Sequence, residues 1–458
     1  MKLVLRKLQS YTNKMQPTQI MVIGFALVIL IGALLLNLPI SSKNGEQIGL
    51  LNALFTSTSA VCVTGLIVVD TATYWSIFGQ VVIIILIQIG GLGFMTVTTL
   101  FALIAKKKIK LRERLLIQES LNQFDLSGLV KLTRYIIVTT FIIEGIGALL
   151  LSTVFIPQFG LGRGIWYSIF HAISAFCNAG FDLMGTVSGP FSSLTSYVNN
   201  TTITLAISLL IILGGLGFPV ILDIIRNKKI SKLNMHSKIV LISTAILILF
   251  GMAFILLVEY NNHDTLGNLN LKGKLLASLF QSVTIRTAGF NTIDLALLNQ
   301  ASLFIMMIFM FIGASPASTG GGVKTTTIAT LILTVKSLLL GKEDIEVFER
   351  RISSSTVKKS VGIFFVGISA VSIGILLLSL TEGEFNLVEA AFEVISSFAT
   401  VGLSIGGSIN LTSIGKLLIV IYMFMGRVGL LTIFLALVSK NTVNKQLIRY
   451  PECRIIVG

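Results

Sequence analysis

Four glycines, Gly65, Gly180, Gly289 and Gly402, each close a short polar segment and are each followed by Leu or Phe. The segments read Val63-Thr64-Gly65, Asn178-Ala179-Gly180, Thr287-Ala288-Gly289 and Thr400-Val401-Gly402, at intervals of 115, 109 and 113 residues. The chemistry open to such a set is that of backbone carbonyls. Glycine tolerates a backbone that turns carbonyls inward, and four copies around an axis can replace the water shell of a dehydrated cation. The hydroxyls of Thr64, Thr287 and Thr400 could support that cage. Repetition at this period in one polypeptide predicts four equivalent units. No nucleophile, metal cluster or acid/base pair accompanies the glycines, so neither an enzyme nor an organic cofactor on this chain is expected. Cys62, Cys177 and Cys453 lack metal-ligand spacing; the first two precede their glycines at equivalent positions and read as packing residues.

A carbonyl cage at membrane depth needs a membrane scaffold. The chain is 54% hydrophobic and 12% charged, with a mean hydropathy of +0.91, outside the range of soluble domains. Charge-poor runs long enough to cross a bilayer cover 20–40, 81–104, 136–156, 203–222, 239–258, 301–323, 361–380 and 417–438, the third carrying Glu144 and the last Arg427. The first is too long for a signal-peptide core, and no cleavage pattern follows it. Shorter apolar stretches at 50–63, 165–177, 275–284 and 387–398 run into the four glycines and are about half a crossing long. The pattern predicts an all-α membrane protein: eight transmembrane helices in four fused membrane-pore-membrane repeats, with four re-entrant pore loops around one central pore. The repeats are 18–110, 130–228, 237–342 and 357–440, between an N-terminal segment 1–17 and a C-terminal tail 441–458.

The net charge is +15. A nucleic-acid surface does not explain it, because the basic residues sit in short loops of a hydrophobic chain: 106–112, 226–229, Lys336, Lys342, Arg350, Arg351, Lys358 and Lys359. Topology and membrane lipid headgroups account for such residues. The positive-inside rule places these loops and both termini in the cytoplasm of a multi-pass cell-membrane protein. The opposite connections carry Asp70, Asp182, Asp264, Asp294, Glu382, Glu384, Glu389 and Glu393, an expected acidic rim that concentrates cations.

A second motif recurs in the span after each glycine: Gly90-Gly91-Leu92-Gly93, Gly214-Gly215-Leu216-Gly217, Gly313-Ala314-Ser315-Pro316 and Gly426-Arg427-Val428-Gly429. Close helix packing suffices to explain the first two copies. The third continues through Ser318, Thr319, Gly320, Gly321 and Gly322 to Lys324, and a proline with three glycines cannot continue a helix. A loop across the conduction path is expected from Gly313 to Lys324. Arg427 takes the place of Gly91, Gly215 and Ala314 in the fourth copy. A mid-span guanidinium needs water or a partner, which leaves a salt bridge with Glu144 or a positive constriction beneath the glycines. His171 reads as a packed, hydrogen-bonded histidine, and His236 and His263 as solvated residues at loop ends.

Taken together, these motifs resemble the Trk/Ktr/HKT superfamily of cation transporters over essentially the whole chain, and most resemble the membrane subunit of the bacterial Ktr system. The resemblance implies that Gly65, Gly180, Gly289 and Gly402 form a potassium selectivity filter, that Gly313 to Lys324 is a gate loop, and that Arg427 stands at the family's pore arginine. Glycine in all four units, with no serine in the first, resembles the potassium-selective members. Potassium is then the transported ion, with sodium a candidate activator. The family further implies a homodimer with one pore per subunit, and a cytosolic ring of regulatory subunits that binds adenine nucleotides. This chain has no phosphate-binding glycine loop, so the nucleotide belongs to the partner. One departure is the third unit, where Phe280 precedes its glycine by nine residues, against ten for Phe55, Phe170 and Phe392.

Channel-like permeation competes with a secondary transporter that couples potassium to sodium or protons by alternating access, since broken helices serve both. The repeats share one orientation, and Glu144 is the only acid deep in a span. Both features favour permeation.

Overall fold

The structure, a computed structural model, describes residues 15–93 and 129–437 together with Thr96, Thr99 and Leu115. The basic cluster 106–112, most of segment 1–17, Cys453 and the tail 441–458 lie outside the described residues. The longer helices fall into four successive runs. The first comprises α1 (Pro17–Leu36), α2 (Leu50–Val61) and α3 (Ile77–Leu92). The second holds α4 (Leu129–Phe159), α5 (Leu161–Phe176), α6 (Thr201–Leu216) and α7 (Phe218–Asn227). The third holds α8 (Met235–Glu259), α9 (Leu271–Thr284), α10 (Gln300–Phe311) and α11 (Thr325–Leu339). The fourth holds α12 (Ser354–Thr381), α13 (Leu387–Ala399), α14 (Ser413–Val428) and α15 (Leu430–Leu437). A two-residue hairpin pairs Glu346–Val347 with Arg350–Arg351 between the third and fourth runs.

Local chemistry sets where these helices begin. The side-chain oxygens of Ser76, Asn200 and Thr412 accept from the N–H groups of Gly79, Ile203 and Gly415 at 3.3, 3.1 and 3.3 Å, capping α3, α6 and α14. Asn386 and Glu389 form a reciprocal capping box at the start of α13. The long helices are apolar on all sides, and burial separates their faces. Along α12, Phe365, Leu376 and Leu380 are exposed, while Gly367, Val371, Gly374 and Leu378 are buried. The exposed side suits lipid, and the glycines let neighbouring helices approach closely. A Cβ on Gly374 would run into Tyr422 and Val394.

Among the described residues, α1, α4, α8 and α12 are long and apolar enough to cross a bilayer as single helices. The other expected spans differ from the straight runs that hydropathy suggests. Helix α3 stops at Gly93, α6 turns by 97° into α7 at Gly217, residues 312–324 separate α10 from α11, and α14 meets α15 at Gly429. The three glycines have φ of 82°, 91° and 89°, left-handed values that any side chain would strain. Packing alone is therefore an incomplete account of the first two glycine-rich copies. Their last glycine terminates a helix and frees the carbonyls of its final turn.

Candidate functional site

Helices α2, α5, α9 and α13 each hold a fully buried phenylalanine at the equivalent position, Phe55, Phe170, Phe280 and Phe392. Each carries a hydroxyl four residues further on: Ser59, Ser174, Thr284 and Ser396. These hydroxyls fasten the glycine segments. Ser59 and Ser396 accept from the N–H of Gly65 and Gly402 at 3.1 Å, while Ser174 and Thr284 donate to the carbonyls of Phe181 and Phe290 at 2.7 and 2.6 Å. Sequence reasoning overlooked all four, although their fixed spacing from the phenylalanines was visible.

The same spacing locates the residue that the third unit lacks. The N–H groups of Thr64, Ala179 and Val401 reach back to the carbonyls of Ser59, Ser174 and Ser396 at 2.8 Å, whereas Ala288 reaches Thr284 in a turn one residue shorter, at 2.9 Å. The turn absorbs the deletion, and beyond it all four copies have positive φ at the same two positions. Val63, Asn178, Thr287 and Thr400 have φ of 56°, 58°, 71° and 52°, and the glycines two residues later have 98°, 69°, 85° and 87°.

The four glycines close a ring in chain order. A Cβ on Gly65 would lie 2.6 Å from the carbonyl oxygen of Ala179, one on Gly180 2.7 Å from that of Ala288, and one on Gly289 2.7 Å from that of Val401. The ring closes where a Cβ on Gly402 would collide with the carbonyl of Thr64. Any side chain here faces both a left-handed backbone and a neighbouring carbonyl oxygen.

The loop from Gly313 to Lys324 docks beside this ring, on the freed end of α6. The N–H groups of Ser315 and Thr319 donate to the carbonyls of Gly215 and Gly214 at 3.1 and 3.2 Å, and Phe218 N–H donates to the Ala317 carbonyl at 3.0 Å. Gly217 lies against the Pro316 carbonyl. Thr319 Oγ1 donates to the Phe176 carbonyl and to Asn178 Oδ1, both at 3.2 Å, and Gly321 N–H donates to Thr400 Oγ1 at 3.0 Å. Gly320 sits against Thr287 with no room for a side chain. The loop also fastens itself: Gly313 N–H to Val323 and Thr325 N–H to Ala314 at 2.8 and 3.3 Å, Ser318 Oγ to Ser315 at 2.6 Å, and Lys324 Nζ to the Gly320 carbonyl at 2.6 Å. The hydroxyls of two of the three threonines expected to support the cage have protein partners. Thr400 holds the loop, Thr287 accepts from Asn178 Nδ2 at 3.3 Å, and Thr64 Oγ1 is buried without a partner.

Arg427 joins the loop to the first unit. Its guanidinium donates to the carbonyls of Thr319 and Gly90, and to that of Gly91 at 3.3 Å. The salt bridge considered with Glu144 does not form. Glu144 accepts from Gln88 Nε2 at 3.1 and 3.2 Å and from the Cys177 thiol at 3.9 Å. The reason lies in the break at Gly93, which leaves carbonyls at the negative end of α3 that satisfy a cation without a carboxylate.

Several other expected residues take specific places. His171 Nδ1 bonds the Tyr167 carbonyl at 2.7 Å and its Nε2 accepts from Leu183 N–H at 3.3 Å, tying α5 to the segment after Gly180. The acidic rim is thinner than its composition suggests, because three of its members are buried and cap backbone or hydroxyl groups. Asp70 accepts from Thr73 and Phe191 N–H at 2.7 and 3.0 Å, Glu382 from the Thr412 hydroxyl at 2.6 Å, and Glu393 from Ser408 at 2.6 Å and from Ser404. Asp264, Asp294 and Glu384 are exposed. Desolvation pushes the Asp182 carboxyl up to about 7, against the Met184 N–H bond that lowers it and with the nearby Asp70 charge raising it further. Arg286, three residues before Gly289, is buried with Nε and Nη2 unpartnered, a feature that sequence reasoning also passed over.

Comparison with known proteins places this geometry in a lineage. The family model TrkH, described as a cation transport protein, matches residues 2–445. The chain is 43% identical to the potassium/sodium uptake protein NtpJ of Enterococcus hirae over 449 residues, covering 97% of this chain and 98% of the relative. It is 41% identical to the Ktr system potassium uptake protein B of Bacillus subtilis, covering 96% of this chain and 97% of the relative. The crystal structure of the potassium transporter TrkH from Vibrio parahaemolyticus superposes with a TM-score of 0.73 over 93% of this chain and 85% of that one, at 18% identity, and shares its fold. The chain therefore belongs to the TrkH family of cation transport proteins, and is a multi-pass membrane transporter and not an enzyme.

Proposed function

We propose that this protein takes up potassium across the cell membrane through a channel-like pore whose selectivity filter is the ring of Gly65, Gly180, Gly289 and Gly402. The observation that carries the reading is the ring itself. Four segments separated by more than a hundred residues adopt one backbone conformation and turn carbonyls onto each other's glycines. Such carbonyls can replace the hydration shell of a potassium ion, and the shared Ser and Thr anchors hold them at fixed separation. In this reading the four helical runs are membrane-pore-membrane units 18–110, 130–228, 237–342 and 357–440 around one axis, with both termini cytoplasmic.

The loop Gly313–Lys324 with Arg427 acts as the gate. It lies against residues of the second, third and fourth filter segments, and a guanidinium beside the path repels a cation. The gate opens when the loop leaves the carbonyls of α6. Potassium as the ion and a regulatory partner are suggested by relatives named for potassium uptake in the Ktr system. The working form is a homodimer bound on its cytoplasmic face by a nucleotide-binding ring, with sodium a candidate activator. Flux from proteoliposomes holding the chain alone, with potassium and sodium gradients set separately, tests the reading. Potassium should move down its own gradient; a flux that requires a second ion's gradient supports coupled transport instead.

A further inference from the structure

A cavity of about 460 Å³ lies between connections of the second and third helical runs. Segments 190–198, 264–269 and 291–294 wall it, and none of the four ring glycines does, so it stands beside the ring and apart from the gate loop. Two carboxylates line it, Asp264 and Asp294, and among the described residues no lysine or arginine does. Both aspartates are exposed, and neither belongs to the two ion pairs among the described residues, Lys342–Glu346 and Arg351–Asp344.

The internal repeat shows that Asp294 has coordination to spare. It follows Gly289 by five residues, as Asp70 follows Gly65. Asp70 is buried with both oxygens engaged, Oδ1 by the N–H and hydroxyl of Thr73 at 2.7 and 2.8 Å and Oδ2 by Phe191 N–H at 3.0 Å. Among the described residues Asp294 accepts only at Oδ1, from Ala296 N–H at 3.0 Å, and the Asp264 carboxylate accepts from none. Two neutral oxygens of the same wall are also unused. Asn291 donates its Nδ2 to the Ile293 carbonyl at 3.0 Å and leaves Oδ1 open. Thr292 is 3% exposed, and its Oγ1 has no hydrogen-bond partner. A buried hydroxyl without a partner is destabilising unless a ligand or the ligand's water shell meets it.

We propose that the cavity binds a hydrated divalent cation of the magnesium class, held by Asp264 and Asp294, with Asn291 and Thr292 bonding to its waters. Hard divalent ions take oxygen ligands, and magnesium keeps several waters while one or two carboxylates hold it. Two negative charges in a wall free of lysine and arginine match a double positive charge. The water shell has ample room, since each water's share of liquid volume is about 30 Å³. The bound ion fastens the segment leaving the third ring glycine to the connection between α8 and α9. Binding does not depend on the pore reading.

The test uses the purified full chain in detergent with Mn²⁺ as the probe, because the free ion's paramagnetic resonance signal is lost on binding. One Mn²⁺ per chain should bind with a Kd of about 0.1–1 mM. Mg²⁺ should displace it, and Mg²⁺ alone should raise the melting temperature. The double variant D264N/D294N should lose saturable binding and the melting-temperature gain, while E384Q, which neutralises an exposed acid outside the cavity, should keep both. Equal binding by the wild type and D264N/D294N would overturn the site. So would an equal loss in E384Q, which would leave only diffuse rim charge. Displacement of Mn²⁺ by K⁺ as readily as by Mg²⁺ at matched ionic strength would overturn the divalent assignment.

Discussion

The guanidinium of Arg427 donates to the backbone carbonyl of Thr319, 108 residues away, and to that of Gly90. One side chain thereby clamps the loop of the third unit to the broken helix of the first. Arg427→Ala removes the clamp and a positive charge together. Repulsion of a cation by a charge ~8 Å away, at an effective dielectric of about 20, is about 2 kcal/mol. Potassium flux per folded molecule should rise by up to about thirtyfold, and deletion of Ser318–Gly322 should raise it as well. Liposome flux normalised to folded protein checks this; lower flux in both variants would reduce these residues to structural supports.

The hydroxyl anchors behind the ring make a second, separate prediction. Ser174→Ala breaks the 2.7 Å bond to the Phe181 carbonyl and leaves that carbonyl buried. The loss should be about 1 kcal/mol. Ser396→Ala, which frees the Gly402 N–H, should cost a similar amount. Both variants should fold at a slightly lower melting temperature in detergent and admit more sodium relative to potassium. An unchanged ion preference would show that these bonds serve folding alone.

Glu144 separates permeation from proton-coupled transport. Its carboxylate accepts from Gln88 and the Cys177 thiol, and glutamine can keep an acceptor in the same place. Glu144→Gln should leave potassium flux within about twofold of wild type, since truncation, not neutralisation, is what leaves buried partners unpaired. Flux measured with and without a pH gradient checks this. A proton dependence present in the wild type and absent from the variant would favour the coupled transporter.

Arg226 lies in the last turn of α7 and Lys228 and Lys229 follow it, in a basic connection that is proposed to be cytoplasmic. If this connection docks the regulatory ring, replacing all three by glutamine should weaken co-purification with the soluble partner and steepen its loss with salt. Undiminished association at every ionic strength would assign these residues to lipid headgroups.

Much of the site was legible because the repeat writes it four times. The glycines, the helix-breaking run after Gly313 and the odd arginine at the fourth copy all stand out against their counterparts. The breaks at Gly93, Gly217 and Gly429 were not legible, since a single glycine in an apolar run is compatible with a straight helix and only its φ decides. The rim was overestimated for a similar reason. Composition records that Asp70, Glu382 and Glu393 are acids, but not that nearby N–H and hydroxyl groups draw them inward. Arg427 illustrates the same limit: sequence poses the need for a partner, and carbonyls freed by a neighbouring break, invisible in hydropathy, answer it.

The central claim is that the four glycines form the ion filter, and the most direct test is the potassium-to-sodium flux ratio of Gly65→Ser and Gly402→Ser. At Gly65 the φ is 98° and a Cβ would stand 2.6 Å from the Ala179 carbonyl; at Gly402 the φ is 87° and the obstacle is the Thr64 carbonyl. Either serine should tilt carbonyls out of the ring and lower the ratio by about tenfold or more, or abolish uptake by cells that lack other potassium systems. A serine variant that folds, supports growth at low potassium and keeps the wild-type ratio would contradict the account.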